Sequence, residues 1–400
     1  MKILVTTSTL KQDVNDSSPE FINNLIEGMS KLNDNNEFIY LYPYKGRDPV
    51  KEKYNNISYK TYRYWFSKAG HNILDLGIYQ SIKSKKLNYL KVISLIICQF
   101  FSTLYHVVKL KPDYIYAHWI FPQAFISGIV SKITKTNLVF TSHGSDITLL
   151  RKFGYLGKFI LHFTISTAEK ITVVSEKNLQ KINEFYDISN HKEKFKVIPM
   201  GIDNLFFKNP TNKSFNSSES KNFLFYGRLT NYKGLDLLIN AFEELVKIYP
   251  NVSLKIIGYG DMKNELINLI NLKNLSKNIK IDQFKNKIDI IKEIENSDLI
   301  IVPSIETKYE FEAGPLTIVE AMARKRLCLI SDSVGFISYF DSASCLVFQS
   351  GNLKSLYDEL INFFNISDEN YLDMTISAFE IIKEFKFENI SNYHSKFLLK

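Results

Sequence analysis

Apolar and polar positions alternate along this 400-residue chain in a regular way. Short apolar runs at residues 2–7, 37–42, 113–117, 138–141, 171–175 and 197–199 read as buried strands. Between them, apolar residues return every three or four positions. Phe21, Leu25, Met29 and Leu32 would share one helix face, and Ser18-Pro19-Glu20 is a plausible helix start. A further helix is expected from about Pro122, and Ser175 is placed to cap another. Strand alternating with helix predicts a parallel α/β sheet. Residues 44–88 are rich in Tyr, Lys and Asn and show no clear period. Residues 90–108 form the longest apolar segment, interrupted by Lys91, Ser94, Gln99, Ser102, Thr103 and His106. A bilayer span wants about 20 predominantly apolar residues. The segment therefore reads as a helix packed on the sheet, with a membrane-facing edge as the alternative.

The pattern pauses at residues 208–221, which are polar, rich in Ser and Asn, and have linker composition. It then restarts. Strands are expected at 222–226, 252–257, 279–281, 299–302, 327–331 and 345–348. Lys233-Gly234 opens a helix carrying Leu237, Leu238, Phe242 and Leu245. Residues 317–322 read as another helix, with Pro315 in its first turn and Glu320 two turns inside. Two more helical patterns lie near 353–365 and 371–385. The expected architecture is α/β: two Rossmann-like doubly wound domains facing across a cleft. The first domain would cover 1–207 and the second 222–375, joined by the linker 208–221. A C-terminal helix at 376–400 would be placed to pack back on the first domain.

Composition changes this picture in one respect. The chain is 45% hydrophobic and 23% charged, as is ordinary for a globular protein, but its net charge of +8 is uneven. Residues 1–200 carry 27 Lys and Arg against 16 Asp and Glu, and residues 51–111 alone carry 11 against 2. Such a stretch favours an anionic partner: a membrane surface, a nucleic acid or a phosphorylated substrate. The blander alternative is a lysine-rich solvated face. Cys98, Cys328 and Cys345 have neither metal-ligand nor redox spacing and read as reduced core thiols. The opening MKILVTTS is too short and too polar for a signal peptide, so a cytoplasmic location is expected.

The chemistry-bearing residues fall after strands. His143 and Asp146 follow one, Arg228 and Lys233 a second, Gly258 and Gly260 a third, and Glu312 a fourth. In doubly wound sheets that edge is where ligands bind. Glu312 and Glu320 lie eight positions apart around a helix entry, with Gly314 and Pro315 just after the first. A helix N-terminus attracts anions through its free N–H groups and dipole. Two acids beside it fit polyol hydroxyls held next to a phosphate, although a solvated acid face has the same spacing.

The order GRLTNYKG (227–234), IIGYGD (256–261), LIIVPS (299–304) and EAGPLTIVEAM (312–322), preceded by HGSD (143–146) and VIPMGID (197–203), resembles the GT-B glycosyltransferases of the retaining family-4 type. The resemblance covers about residues 113–350. It implies a sugar moved from a nucleotide-diphosphate sugar, a UDP- or GDP-sugar, to a saccharide acceptor, without a metal or other cofactor. Arg228 and Lys233 would bind the diphosphate and stabilise its growing charge. Glu320 would hold the ribose diol. Glu312 would meet the transferred sugar, with Glu306 and Glu310 as alternatives if the register shifts. His143 would touch the sugar near the reacting carbon. Gly227, Gly258, Gly260, Gly314, Pro315, Leu316 and Thr317 complete the implied donor site. Ser17, Ser18, His118, Trp119 and Asp146 would lie toward the acceptor.

The chain departs from the family pattern where relatives carry glycines. The first βα loop reads Asp16-Ser17-Ser18-Pro19, Lys285 follows Gln283-Phe284, and Arg324 or Lys325 follows the second acid's helix. The basic first half fits a lipid-linked acceptor in bacterial surface-polysaccharide synthesis, with the protein peripheral at the inner membrane face. A nucleotide-sugar 2-epimerase is the rival enzyme. A nucleic-acid-binding protein is the rival of another class, but the chain carries no recognised nucleic-acid module, and no such partner is expected.

Overall fold

The computed structural model describes residues 1–8, 10, 20–45, 56–67, 70–71, 73, 81, 85, 87–215, 220–283 and 286–399. The chain forms two compact units, one of Met1–Gly201 with Phe387–Lys400, the other Ile202–Lys386.

The first unit is built on a seven-stranded sheet in the order β3-β2-β1-β4-β5-β6-β7. Its strands are β1 Lys2–Thr6, β2 Glu37–Pro43, β3 Ile57–Tyr62, β4 Tyr114–His118, β5 Asn137–Ser142, β6 Lys170–Val173 and β7 Phe195–Val197. Every pairing is parallel. Parallel strands buried on both faces need near-continuous apolar runs, which is how β1 (KILVT) reads. β3 lies within the stretch that showed no period. Its burial alternates only weakly, so the sequence gives little sign of it. The long apolar segment is the helix Asn88–Leu110, two residues longer at each end than the run that marks it.

The second unit holds a six-stranded parallel sheet in the order β10-β9-β8-β11-β12-β13. Its strands are β8 Asn222–Arg228, β9 Ser253–Tyr259, β10 Ile279–Asp282, β11 Leu299–Val302, β12 Leu327–Ser331 and β13 Leu346–Phe348. Side chains alternate across the sheet. Phe223, Phe225, Leu254, Ile256, Leu299 and Ile301 enter one core with the helices Leu235–Ile248 and Leu353–Phe364. Leu224, Tyr226, Ile257, Ile300, Val302 and Cys328 enter the other, with the helices Leu316–Ala323 and Asp368–Ile382. Each fully buried large apolar side chain contributes roughly 1.5–3 kcal/mol. Two packed faces account for a doubly wound sheet. The three cysteines are free thiols, two of them buried.

Residues 208–221 are less of a linker than their composition implies. Phe215 is buried, stacks on Tyr371 at 4.7 Å, and lies under the Lys221 ammonium at 3.7 Å. Arg324 donates to the Lys208 carbonyl at 2.7 Å and Arg326 to the Thr211 carbonyl at 2.9 Å. The boundary between units falls earlier, after Gly201. Lys325 takes a φ of 53°, a conformation that glycine favours, which accounts for the expectation of glycine there. The helix Phe387–Leu398 belongs to the first unit, with Ser391 Oγ donating to the Leu25 carbonyl at 3.1 Å.

Candidate active site

In the second unit the strand order reverses between β8 and β11, and the crevice beyond their carboxyl ends is the expected ligand position. β8 runs through Gly227 to Arg228, two residues further than the apolar pattern reached, because both pair with Gly258 and Tyr259 on β9. Arg228 then stands exposed at the strand end and donates to the Tyr232 hydroxyl at 3.0 Å. A short turn follows, and Gly234, at φ 66°, starts the next helix. A Cβ at Gly234 would lie 2.0 Å from the Pro303 carbonyl oxygen. This close approach brings the loop after β11 against the loop after β8, and Ile305 N–H donates to the Tyr232 carbonyl at 2.8 Å.

That contact delivers the acids. The Glu312 carboxylate is ion-paired with the Lys233 ammonium and accepts from Ser304 Oγ at 3.2 Å. Both paired side chains are 11% exposed. Burial pulls the Lys233 pKa down, the Glu312 charge pulls it up further, and the net shift is upward, so the ammonium stays charged. Glu320 is reached from the other side of β8. The buried Tyr226 hydroxyl donates to Glu320 Oε2 at 3.0 Å and lies 3.0 Å from the Thr317 carbonyl. Burial and the Glu320 charge raise the Tyr226 pKa well above its ordinary value, which keeps it a donor. Glu320 is the fifth residue of Leu316–Ala323, so it lies just over one turn from the helix start, not two. Pro315 is the capping residue before that helix, not within its first turn, and its extended backbone aims the chain into it.

Gly258 and Gly260 have a structural reason to lack a side chain. A Cβ would lie 1.9 Å from the Gly227 carbonyl oxygen in the first case and 2.1 Å from that of Leu229 in the second. At Gly314 the added atom would meet the Phe336 ring at 2.8 Å. Among the described residues, no group of three or more His, Cys, Asp or Glu is placed to hold a metal ion.

The first unit carries a second polar cluster beyond the ends of β4 and β5, next to its own β1–β4 switch point. His118 Nδ1 and His143 Nε2 are 3.2 Å apart, at hydrogen-bond distance. The His143 ring packs against Phe21 at 5.1 Å and Trp119 at 4.9 Å. Trp119 holds φ at 73°, uncommon for a residue with a Cβ, while its N–H keeps a 2.9 Å bond to the Thr141 carbonyl. Below lies a buried chain: Tyr116 OH to Thr141 Oγ1 at 2.8 Å, Thr141 Oγ1 to Thr172 Oγ1 at 2.7 Å, and Tyr116 OH to His394 Nδ1 at 3.3 Å. Burial, with His394 adding to it, lowers the His143 pKa to about 3. Burial lowers His394 to about 3 and His118 well below its usual range, with His143 adding to the His118 shift. All three rings are neutral at pH 7.

The two-unit, doubly wound architecture is matched by known proteins. Residues 207–381 match the family model described as glycosyl transferases group 1, and residues 78–204 match that described as glycosyltransferase family 4. The chain belongs to the family-4 glycosyltransferases. This glycosyltransferase is 31% identical over 172 residues to an uncharacterized glycosyltransferase of Haemophilus influenzae, a match covering 42% of each protein. It is 28% identical over 242 residues to an alpha-monoglucosyldiacylglycerol synthase of Acholeplasma laidlawii, covering 54% of this chain and 57% of that protein. The chain thus spans about half the length of these relatives. Its fold is that of Anabaena HepE, solved with UDP and glucose: TM-score 0.70 and 17% identity, over 100% of this chain and 99% of that one.

In this glycosyltransferase Arg228, Lys233, Glu312 and Glu320 gather around the β8–β11 switch point, and His143 and His118 meet in the first unit. Two residues expected toward the acceptor are buried in the first unit. Asp146 is 2% exposed and accepts from Ile120 N–H, Ser142 Oγ and Ile147 N–H at 2.9, 2.9 and 3.0 Å. It braces the loop from beneath. His118 is fully buried, with its Nδ1 3.2 Å from His143 Nε2. Ser17, Ser18 and Lys285 lie outside the described residues. Sequence reading missed Tyr226, Tyr232, Ser304 and His394. Tyr226 and Tyr232 sit inside or beside recognised motifs, whereas His394 is 278 residues from Tyr116 and has no local signal.

Proposed function

We propose that this protein is a retaining glycosyltransferase that moves a sugar from a nucleoside-diphosphate sugar to a saccharide acceptor, lipid-linked and destined for a surface polysaccharide. The observation that carries the reading is the gathering of two cations and two acids at the β8–β11 switch point. Lys233 and Arg228 meet the diphosphate and stabilise the charge it gains as the sugar leaves. Glu320, oriented by Tyr226, accepts from the ribose diol. Glu312 meets the hydroxyls of the transferred sugar, and the N–H groups opening Leu316–Ala323 face the sugar and phosphates. His143, held neutral, makes hydrogen bonds near the reacting carbon without adding charge.

In the transfer, the bond from the anomeric carbon to the phosphate oxygen breaks through an oxocarbenium-like state. The acceptor oxygen attacks from the same face, and its proton passes to the leaving phosphate oxygen. No enzyme nucleophile is required. The reaction takes place on the cytoplasmic side, where nucleotide sugars are made. The diacylglycerol-glucosylating relative supports a lipid-bearing acceptor.

Incubation of the protein with nucleotide sugars, with and without acceptor saccharides, tests the reading by proton NMR. Transfer with an unchanged anomeric configuration is expected. Conversion of the donor alone to its 2-epimer would make the protein an epimerase, and an inverted product would remove the retaining mechanism.

A further inference from the structure

The helix Asn88–Leu110 is inside out. Its buried face carries Lys91, Gln99 and Thr103 alongside Val92, Leu95 and Val107. Its outward face carries Leu90, Ile93, Ile97, Phe101, Tyr105 and Val108, each about half exposed or more. Their spacing of three and four places them on one stripe nearly the length of the helix. The helix has the length and apolar composition to cross a membrane, but it is packed on β2, β3 and the helix Phe125–Thr134 and lies along the unit's surface. Phe125–Thr134 packs in turn on Tyr155–Thr167, whose start exposes Tyr155 (92%), Leu156 (60%) and Phe159 (60%). Exposed large apolar side chains in these numbers on two helices of one unit mark an interaction site.

Charge identifies the occupant. Residues 76–168 contain eleven Lys and Arg and only two acids, Asp113 and Asp146. Asp146 is buried, and the Asp113 carboxylate accepts from the Lys2 N–H at 2.7 Å. Exposed lysines flank each apolar cluster: Lys85 before the long stripe, Lys109 and Lys111 at its end, Lys132 beside Ile133, and Lys158 between Leu156 and Phe159. A second copy of the chain would bring cations against cations. An anionic bilayer offers phosphates to the lysines and acyl chains to the apolar side chains between them, the pattern of interfacial helices.

We propose that the outward face of Asn88–Leu110, continued by the start of Tyr155–Thr167, seats this protein on an anionic lipid surface. The surface is broader than the basic stretch 51–111 marked in the sequence, and its anchors are apolar residues that charge counting does not register.

Co-sedimentation of the full chain with vesicles, without donor or acceptor, tests this. Wild type is expected to bind phosphatidylglycerol-containing vesicles at least about tenfold more tightly than pure phosphatidylcholine at low salt, with the preference shrinking as salt rises. Ile97→Glu/Phe101→Glu and Leu156→Glu/Phe159→Glu should each weaken that binding about tenfold or more. Leu272→Glu, at an 80% exposed position on the second unit, should not. Circular dichroism checks that each variant folds. Equal binding to both vesicle types, or wild-type binding by both double variants, overturns the proposal. A wild type that ignores vesicles but dimerises, with Ile97→Glu/Phe101→Glu monomeric, overturns it in favour of a second copy. Nucleotide binding is not read in this assay, so its failure leaves the transfer reaction standing.

Discussion

Lys233 and Glu312, 79 residues apart in sequence, hold each other's charges in a largely buried ion pair. The residue expected at the diphosphate and the residue expected at the sugar are therefore mutual partners before any ligand arrives. A buried pair is costly to break from one side, because the remaining charge stays desolvated. Glu312→Gln should lower stability by about 3 kcal/mol. Lys233→Met/Glu312→Gln should recover most of that loss while nucleotide affinity stays low. Thermal unfolding and nucleotide titration on the same samples separate the two effects. A double variant as unstable as the single would show that the pair is not the source of the loss.

Tyr226, buried beneath Glu320, donates to its carboxylate at 3.0 Å. Tyr226→Phe removes one hydrogen bond to a carboxylate, worth about 1.5–3 kcal/mol. Nucleotide affinity should fall several-fold, with the unfolding transition still cooperative. Titration calorimetry with UDP and GDP checks this, and unchanged affinity for a nucleotide that binds wild type would remove Tyr226 from the site.

Gly258 and Gly351 should respond very differently to the same change. Gly258→Ala drives a methyl group into the Gly227 carbonyl and must part β8 from β9, which should abolish folding of the second unit or cost more than about 4 kcal/mol. At Gly351 no atom lies within 4 Å of an added Cβ, and only its φ of 73° opposes substitution, at about 1–2 kcal/mol. Soluble yield and melting temperature distinguish the two.

The three neutral histidines make stability depend on pH. Their folded-state pKa values lie below the ordinary 6.5, so the unfolded chain takes up protons first as pH falls. Stability should be full above about pH 6.5 and decline toward pH 3. His394, fully buried with a pKa of about 3, accounts for about 2 kcal/mol of loss between pH 6.5 and 5. His394→Gln should flatten that dependence in melting curves taken across the range. An equally steep dependence in the variant would assign the effect elsewhere.

Apolar periodicity revealed most of this fold, because parallel strands buried on both faces must be apolar throughout. β1, β2, β4, β11 and β12 announce themselves in this way, while β3, half exposed and polar, does not. Composition understates residues 208–221: Phe215 is one large side chain among polar ones, and with the Arg324 and Arg326 hydrogen bonds to the Lys208 and Thr211 carbonyls it secures the segment to the second unit. The acids and cations of the site were readable because they sit in short motifs at strand ends. Their pairing was not, since Lys233 meets Glu312 only once Gly234 lets two loops touch. The helix Asn88–Leu110 shows apolar residues clearly in sequence, but only the fold shows that they face outward.

Nucleotide binding by the β8–β11 site is the central claim. Titration of wild type, Lys233→Ala and Glu320→Ala with a panel of UDP-, GDP-, ADP- and TDP-sugars tests it most directly. The account predicts that at least one donor binds wild type and that each substitution weakens that donor about tenfold or more, with both variants folded. Failure of every donor to bind wild type, or wild-type affinity in both variants, would contradict it.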